Sequence, residues 1–523
     1  MVSQDVSDEG DGAVAIGFKI SSRTSSLEGS SDGVNNFQAS ETTALLRKGK
    51  EGDKRDEGRC YVQKRYILLV MLFGGMAITS ISRINVSITM PAMTNVTFTE
   101  NTDGAGNESG SFCRAMNETT SNHDDEPEGE FLWSTHEQEL ILSGFFYGYG
   151  VCQIPMGWLT DKIGGSPVFV TSLLLSGVLN TLGPVAAQSG PMVLMTVRIL
   201  CGVTECEHSW FYSTVLSGFK FGAFVGTIAS GFLAGSSFLG GWPSTFYVFG
   251  ENDIDKIVAL RGFGVAWSLL WLLLIYNTPQ SHPRISNNEL HHIESNAVSS
   301  SVTIPVKAVL LSKPVWAVLI CTLVGSFSVM MVFTNFPLFL KHVHGYNIEE
   351  IGYLFAIPYV VEGLSLIVSG FTGNQLIARR MLSITATRKL MTGLGLILSA
   401  LAFIALVFAD CNGGLSILLV TCAVGFNGIC TSGYFVNLLD IAPRLAGSLV
   451  GVVNTATGIA GFTVPLVISV FTTNQADIEG WQKVFWIAAA LNVFGAVVYC
   501  LIGSGEEEEW AKDPKTRRTS RET

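Results

Sequence analysis

The sequence is poor in charge: only 14% of its 523 residues are Asp, Glu, Lys or Arg, while 48% are hydrophobic and the mean hydropathy is +0.39. A water-soluble chain of this length needs several cores and a far more charged surface, so that class is excluded. Catalytic chemistry is missing too. There is no Ser/His/Asp constellation, no phosphate-cradling glycine loop and no Cys-x-x-Cys or Cys/His spacing that suggests a metal. The pair His291-His292 sits in a polar linker and reads as solvated. No enzyme, metal site or cofactor is expected. The net charge of −11 lies mostly in one loop and the tails, and implies no nucleic-acid partner. Of ten cysteines, Cys152, Cys201, Cys321, Cys422, Cys430 and Cys500 fall in apolar segments, where a thiol acts as a small hydrophobe. Cys113 and Cys411 fall in loops on one predicted side, where a disulfide could form.

What the chain does have is repeated apolar runs of about 20 residues, the length that crosses a bilayer as a helix. Twelve spans read at 66–90, 138–160, 167–188, 191–207, 214–239, 260–277, 314–340, 349–373, 388–409, 414–438, 446–473 and 481–502. The expected fold is therefore an all-α polytopic membrane protein. A polar tail (1–65) precedes a six-helix half (66–277), a cytosolic linker (278–313), a second half (314–502) and a C-terminal tail (503–523). The first ~60 residues are too polar for a cleavable signal peptide and are expected to be disordered.

Charge asymmetry sets the orientation. Arg47, Lys48, Lys50, Lys54, Arg55, Arg59, Lys64 and Arg65 precede the first span and place the N-terminus in the cytosol. Loop 91–137, with Arg114 as its single Lys or Arg, then faces the lumen. It holds three N-glycosylation acceptors, at Asn95, Asn107 and Asn117. The tail stretch Glu41-Thr-Thr-Ala-Leu45-Leu46 matches an acidic dileucine signal. Clathrin adaptors read that pattern, the leucines filling an apolar pocket and the acid meeting a basic patch.

Three charges inside the apolar runs stand out. Arg198 and Glu205 are seven residues apart, close to two helical turns, and so share a face. Arg83 lies deep in the first span. Each costs about 2.5–3.5 kcal/mol or more at mid-bilayer, so a function is the default reading. A helix-packing ion pair, or a snorkelling Arg83, is the structural alternative. Glu362 in the eighth span is a fourth such group, as a proton site, a cavity-facing acid or a paired structural residue. Between spans two and three, Gly157-Trp-Leu-Thr-Asp161-Lys-Ile-Gly164 suits a tight turn, its carboxylate free to lock against a neighbour. Gly370-Phe-Thr-Gly373-Asn374 is a weaker echo in the second half, as expected for a duplicated transporter.

Further strings carry a resemblance: Phe145-Phe-Tyr147-Gly-Tyr149-Gly-Val-Cys-Gln153-Ile-Pro155, Trp242-Pro-Ser, His282-Pro-Arg284-Ile-Ser, Asp440-Ile-Ala-Pro443-Arg444-Leu-Ala-Gly447 and Gly503-Ser-Gly505-Glu-Glu. Over roughly 65–511 the chain resembles the major-facilitator anion transporters that include sialin, the vesicular glutamate transporters and the sodium–phosphate transporter relatives. The resemblance implies the major facilitator fold, and transport of a small organic anion coupled to a proton gradient or membrane potential, in a lysosomal, vesicular or plasma membrane. By position it implies Arg83, Arg198, Tyr147, Tyr149 and Asn454 at the substrate, Glu205 at the proton, and Asp161 and Arg444 in gating.

Departures from the family pattern matter. Cys201 stands where sialin has a second glutamate, and Leu142 and Gly325 stand where vesicular glutamate transporters have His and Arg. After Glu205 the chain passes almost directly to Thr214, without about twenty residues that the family has there. Five charges between Glu251 and Arg261 interrupt the sixth span, which must start later. Two alternatives therefore stand beside proton-coupled export: a sodium- or potential-driven phosphate or organic-anion carrier of the plasma membrane, and a non-transporting isoform or sensor with a truncated fourth span.

Overall fold

A computed structural model of the protein describes residues 63–95, 129–205, 212–236, 238–249, 263–276, 278–296, 305–472 and 477–512. The first half contains α1 (Lys64–Met93), α2 (Thr135–Ile163), α3 (Gly165–Thr181), α4 (Gly183–Ser189), α5 (Pro191–Thr204), α6 (Tyr212–Gly235), α7 (Pro243–Phe249) and α8 (Phe263–Leu274). Two short helices, α9 (Asn287–Asn296) and α10 (Val306–Leu311), occupy the linker. The second half contains α11 (Lys313–His342), α12 (Ile348–Ala378), α13 (Ile384–Val407), α14 (Gly413–Tyr434), α15 (Asn437–Ile441), α16 (Ala446–Phe471) and α17 (Ile478–Ile502). Among the described residues the one β contact is an isolated bridge, Thr94 to Phe131.

Among the described residues, eight helices are long and apolar enough to cross a membrane, or nine if α3 and α4, bent by 44° at Leu182, form one span. Twelve spans cannot all be counted. The 14-residue α5 is short for one, and α7 and α8 flank residues outside the described part. Capping chemistry sets several starts. Ser134 and Glu137 form a capping box at α2, Asn347 and Glu350 another at α12, and Ser383 accepts from the Ala386 N–H at α13. The Gly-x-Leu-x-Asp-x-x-Gly motif closes as a one-residue turn. Gly164 takes φ +92°, which favours glycine, and α3 starts at the next residue. The second-half echo differs: Gly370 and Gly373 lie inside α12, and the chain turns only at Arg379-Arg380.

Small residues let the helices meet backbone to backbone. Cβ atoms built on Gly218 and Gly222 would strike the backbones of Phe73 and Ala77, and one on Gly226 would crowd Ile81. Both series rise together, so α1 and α6 run parallel. Gly144 faces Met195 and Arg198, and Gly148 faces Ile199 and Val203, so α2 and α5 are parallel as well. Between the halves the approaches are antiparallel: Gly231 of α6 on Gly352 of α12, and Gly150 of α2 on Gly458 of α16. This register is what alternating up and down spans require.

The N-terminus of α1 carries Lys64 and Arg65, and the α12–α13 connection carries Arg379 and Arg380. That side is the basic face. The Gly150/Gly458 approach is at mid-helix, and Gly231/Gly352 lies toward the opposite face. The halves also share an ion pair, Lys220 of α6 with Glu362 of α12, largely buried. The linker docks on the N-terminal half: Glu289, buried, accepts from the Arg65 backbone N–H at 3.0 Å. Indole N–H groups anchor α8, Trp267 to the Met71 carbonyl at 3.0 Å and Trp271 to Ser166 Oγ at 2.8 Å. Cys411 is disulfide-bonded, and Cys113 lies outside the described residues.

Two consequences are measurable. A Cβ on Gly202 would sit 1.9 Å from the Phe145 carbonyl oxygen, whereas one on Gly363 meets nothing within 4 Å. Gly202→Ala is expected to cost about 3 kcal/mol through a forced backbone shift, seen as loss of monodisperse protein in detergent, while Gly363→Ala stays at parent yield. Removing one partner of a buried pair costs about 3–5 kcal/mol. Lys220→Met and Glu362→Gln should each lower the thermal midpoint, and the reversed pair Lys220→Glu with Glu362→Lys should recover more than half of the loss.

Candidate functional site

The site grows out of the contact between α1, α2, α5 and α3. Parallel packing of α1 on α6 carries Arg83 inward, and the close approach of α2 to α5 brings Arg198 beside it. Arg83 Nη2 lies 3.5 Å from Glu205 Oε2. Arg198 Nη2 donates to the Arg83 carbonyl oxygen at 3.4 Å. All three residues are buried, at 7%, 5% and 3% exposure.

Aromatic faces surround the cations. The Arg83 guanidinium stands 4.6 Å from the Phe145 ring, 5.0 Å from Tyr149 and 5.1 Å from Phe219. Arg198 stands 5.3 Å from Phe145 on its own account. Ring quadrupoles replace part of the hydration that the guanidiniums lose. Glu205 has one neutral partner as well: Ser176 Oγ donates to its Oε1 at 2.6 Å, and Asn180 Nδ2 donates to the Ser176 carbonyl at 2.8 Å.

This arrangement differs from the pairing that helical spacing suggested. The seven-residue offset from Arg198 to Glu205 spans about 10.5 Å of helix, no ion pair joins the two among the described residues, and α5 ends at Thr204 so that Glu205 turns off as its C-cap. Its ion-pair partner is Arg83, from another helix. Two guanidiniums thus face one carboxylate, leaving an excess positive charge in the interior. Arg83 Nε and Arg198 Nε are buried and hydrogen-bond to nothing among the described residues. Such donors suit an incoming carboxylate or phosphate, which guanidinium groups bind in a fork.

Other expected residues are placed variously. Tyr149 belongs to the Arg83 cage. Tyr147 faces the second half, stacking on Phe462 at 5.3 Å between ring centres. Asn454 is half-buried in α16, one turn from Thr457, whose hydroxyl lies 3.2 Å from that of Ser326. Asp161 falls in the last turn of α2, with its side chain outside the described part, and Arg444 is half-buried in the turn before α16. The ion pair described near Arg444 joins Arg388 of α13 to Asp440, 2.7 Å apart. Asn95 donates its backbone N–H to Phe131 at 3.0 Å. Asn107, Asn117, Glu41, Leu45 and Leu46 lie outside the described residues.

Two residues escaped the sequence reading. Lys220 is the partner of Glu362, and its place in an apolar run is the one signal that would have found it. Glu139, 1% exposed, is a buried acid in the second turn of α2, where an acid ordinarily just complements the helix dipole. Among the described residues there is no group of His, Cys, Asp and Glu that could hold a metal ion.

Comparison with known proteins agrees with this architecture. The model of the Major Facilitator Superfamily matches residues 72–206 and 207–465. Human sialin is 32% identical over 464 residues, covering 86% of this chain and 90% of sialin. A putative inorganic phosphate cotransporter of Drosophila melanogaster is 33% identical, covering 86% of this chain and 87% of its own length. Vesicular glutamate transporter 3 of Danio rerio is 32% identical over 74% of this chain and 67% of its own. Among solved structures, a bacterial homolog of the human lysosomal transporter Spinster, inward-facing and occupied, superposes with a TM-score of 0.60 at 14% identity over 87% of this chain and 100% of that one. A D-xylose–proton symporter superposes at 0.53, with 14% identity over 85% of this chain and 100% of that one. With the family model spanning most of the chain and relatives at this identity aligned nearly end to end, the protein is a multi-pass secondary transporter of the major facilitator superfamily, in the group that holds sialin, the vesicular glutamate transporters and the sodium–phosphate transporters.

Proposed function

We propose that the protein exports a small organic anion, such as sialic acid or an acidic sugar or amino acid, from an acidic lysosomal or vesicular lumen, coupled to protons. The observation that carries this reading is the excess buried positive charge: Arg83 and Arg198 against Glu205 alone, with both Nε donors unspent. An uncompensated guanidinium in the interior is costly, and a bound anion removes the cost.

The same geometry supplies a coupling mechanism. A substrate carboxylate competes with Glu205 for the Arg83 guanidinium, which touches Glu205 at 3.5 Å. When a substrate carboxylate takes the guanidinium, Glu205 loses its cation, and in a desolvated setting its neutral form becomes the favoured one. Substrate binding thereby draws a proton onto Glu205. The two halves then rock around the mid-membrane site, exposing it to each side in turn. The basic face would be cytosolic, and the acidic dileucine at Glu41–Leu46 supports an endolysosomal address through a clathrin adaptor.

A second reading, a sodium- or potential-driven phosphate carrier, draws on the cotransporter relatives, and phosphate suits the guanidinium pair equally well. Substrate competition and imposed gradients in proteoliposomes separate the two. Export rises with a pH gradient alone in the first reading, and needs sodium or voltage in the second.

Glu205→Gln should abolish pH-driven accumulation in proteoliposomes while leaving substrate exchange at a measurable fraction of the parent rate. Equal pH dependence in variant and parent would reject Glu205 as the coupling group. Arg83→Lys keeps the charge but loses the planar fork and the three-ring contact; KM for the anion should rise about tenfold or more, each ~1.4 kcal/mol of lost binding being a factor of ten.

A further inference from the structure

We propose that Glu139 is a second proton-binding site, separate from Glu205, and that its protonated form holds the two halves together at the face opposite the basic one. The site is built from one residue of each half. Glu139 lies in α2, and Asn335 lies in α11. In one amide orientation Asn335 Nδ2 donates to Thr334 Oγ1 at 2.8 Å and its oxygen faces the acid, where it can accept the O–H of a protonated Glu139; with the amide turned, its nitrogen donates to Oε1 and to Oε2 of the ionised acid at 3.0 Å each. Asn335 is fully buried and Glu139 is 1% exposed.

Among the described residues no cation compensates this acid. From α1 and α5 the charged groups are Arg83 and Arg198, both lying deeper, against Phe145. From α11 they are Lys341 and His342, about 10 Å farther along the helix. The stretch Ala446–Phe471 of α16 contains no charged residue, and Glu350 at the start of α12 caps Asn347. On α2 itself, His136 is exposed and Glu137 caps Ser134. One amide is therefore the only group from the neighbouring helices that bonds Glu139 among the described residues.

An ionised carboxylate held by a single neutral partner bears most of its desolvation cost, which a protonated one avoids. Separation of α2 from α11 would let water reach Glu139 and remove that cost. The joined state therefore takes up a proton more readily than the separated state, so acid favours closure. On the orientation proposed above this face is lumenal, and the inference rests on that reading. An acidic lumen would then bias the carrier toward the state open to the cytosol, the direction that export requires. This proton acts on the conformational equilibrium, whereas the one on Glu205 travels with substrate. For one proton, linkage limits the shift in the closed-to-open ratio to tenfold per pH unit.

The test reads the conformation directly. Spin labels at Leu132→Cys and Glu349→Cys, both exposed near this face on different halves, report its opening by pulsed electron resonance in full-length protein in which Cys60, Cys152, Cys206, Cys422 and Cys500 are replaced by Ser. The short-distance population of the parent should rise as pH falls from about 7.5 to 5, by no more than tenfold per unit. Glu139→Gln, isosteric with the protonated acid, should show the short distance at both ends of the range, and Glu205→Gln should keep the parental response. A parent with no pH response, a Glu139→Gln variant that still responds, or a response lost in Glu205→Gln would each overturn the proposal. Failure to transport any anion would instead sink the functional reading and leave this distance measurement intact.

Discussion

Positive charge without a full counterweight, buried in the interior, is the constraint around which the molecule is arranged. A guanidinium is a planar, delocalised cation that has to be surrounded by partners when it is buried. The structure surrounds Arg83 and Arg198 with Phe145, Tyr149 and Phe219, with one carboxylate, and with the Arg83 carbonyl turned toward Arg198. Those contacts need four helices at close range. The backbone-to-backbone approaches of Gly218 and Gly222 to α1, and of Gly202 to α2, are what allow that range. Packing and charge are two parts of one requirement here. A helix spaced by larger side chains would leave the guanidiniums without their aromatic faces.

Interactions between the halves follow a different logic. Two of their closest contacts, Gly231 on Gly352 and Gly150 on Gly458, are bare backbone, with little chemistry to resist separation. Specific polar contacts are added at two depths. Lys220 with Glu362 is a matched, self-compensating ion pair, whereas Glu139 with Asn335 is an acid without a cation among the described residues. A carrier has to come apart and rejoin along this seam. Weak apolar contact with a few polar fasteners suits that cycle better than an interlocked core, whose separation would expose large apolar area at about 25 cal/mol per Å².

Much of the architecture was legible in the sequence, because hydropathy and the positive-inside bias act on long segments and average out local noise. Span limits such as 446–473 against the observed Ala446–Phe471, or 314–340 against Lys313–His342, differ by a turn or less. The site was half legible. Arg83, Arg198 and Glu205 stood out because charge in an apolar run is rare, but their pairing did not. Helical periodicity gives the face on which a side chain lies and says nothing of which neighbouring helix it meets. Arg198 and Glu205 share a face yet form no ion pair among the described residues, while Arg83, more than a hundred residues upstream, does. The Gly370–Asn374 echo failed for a related reason: composition marks a turn only where the backbone has no helical alternative, and α12 continues through both glycines.

Glu139 and Lys220 were invisible for opposite reasons. An acid at the start of a helix, straight after a polar loop, has an ordinary explanation in the helix dipole, so nothing marks it as buried. A lone lysine in an apolar run can snorkel, so it signals function only once its partner is seen. Position along the chain cannot separate these cases, because what decides them is whether another helix covers the residue. In the folded protein the second half supplies that cover both times, α11 over Glu139 and α12 over Lys220. Both residues acquire their chemistry from the half in which they do not lie. Any step of the cycle that moves the halves apart must therefore change the environment of both, whereas the Arg83–Glu205 cluster, built within one half, can pass through the same movement intact.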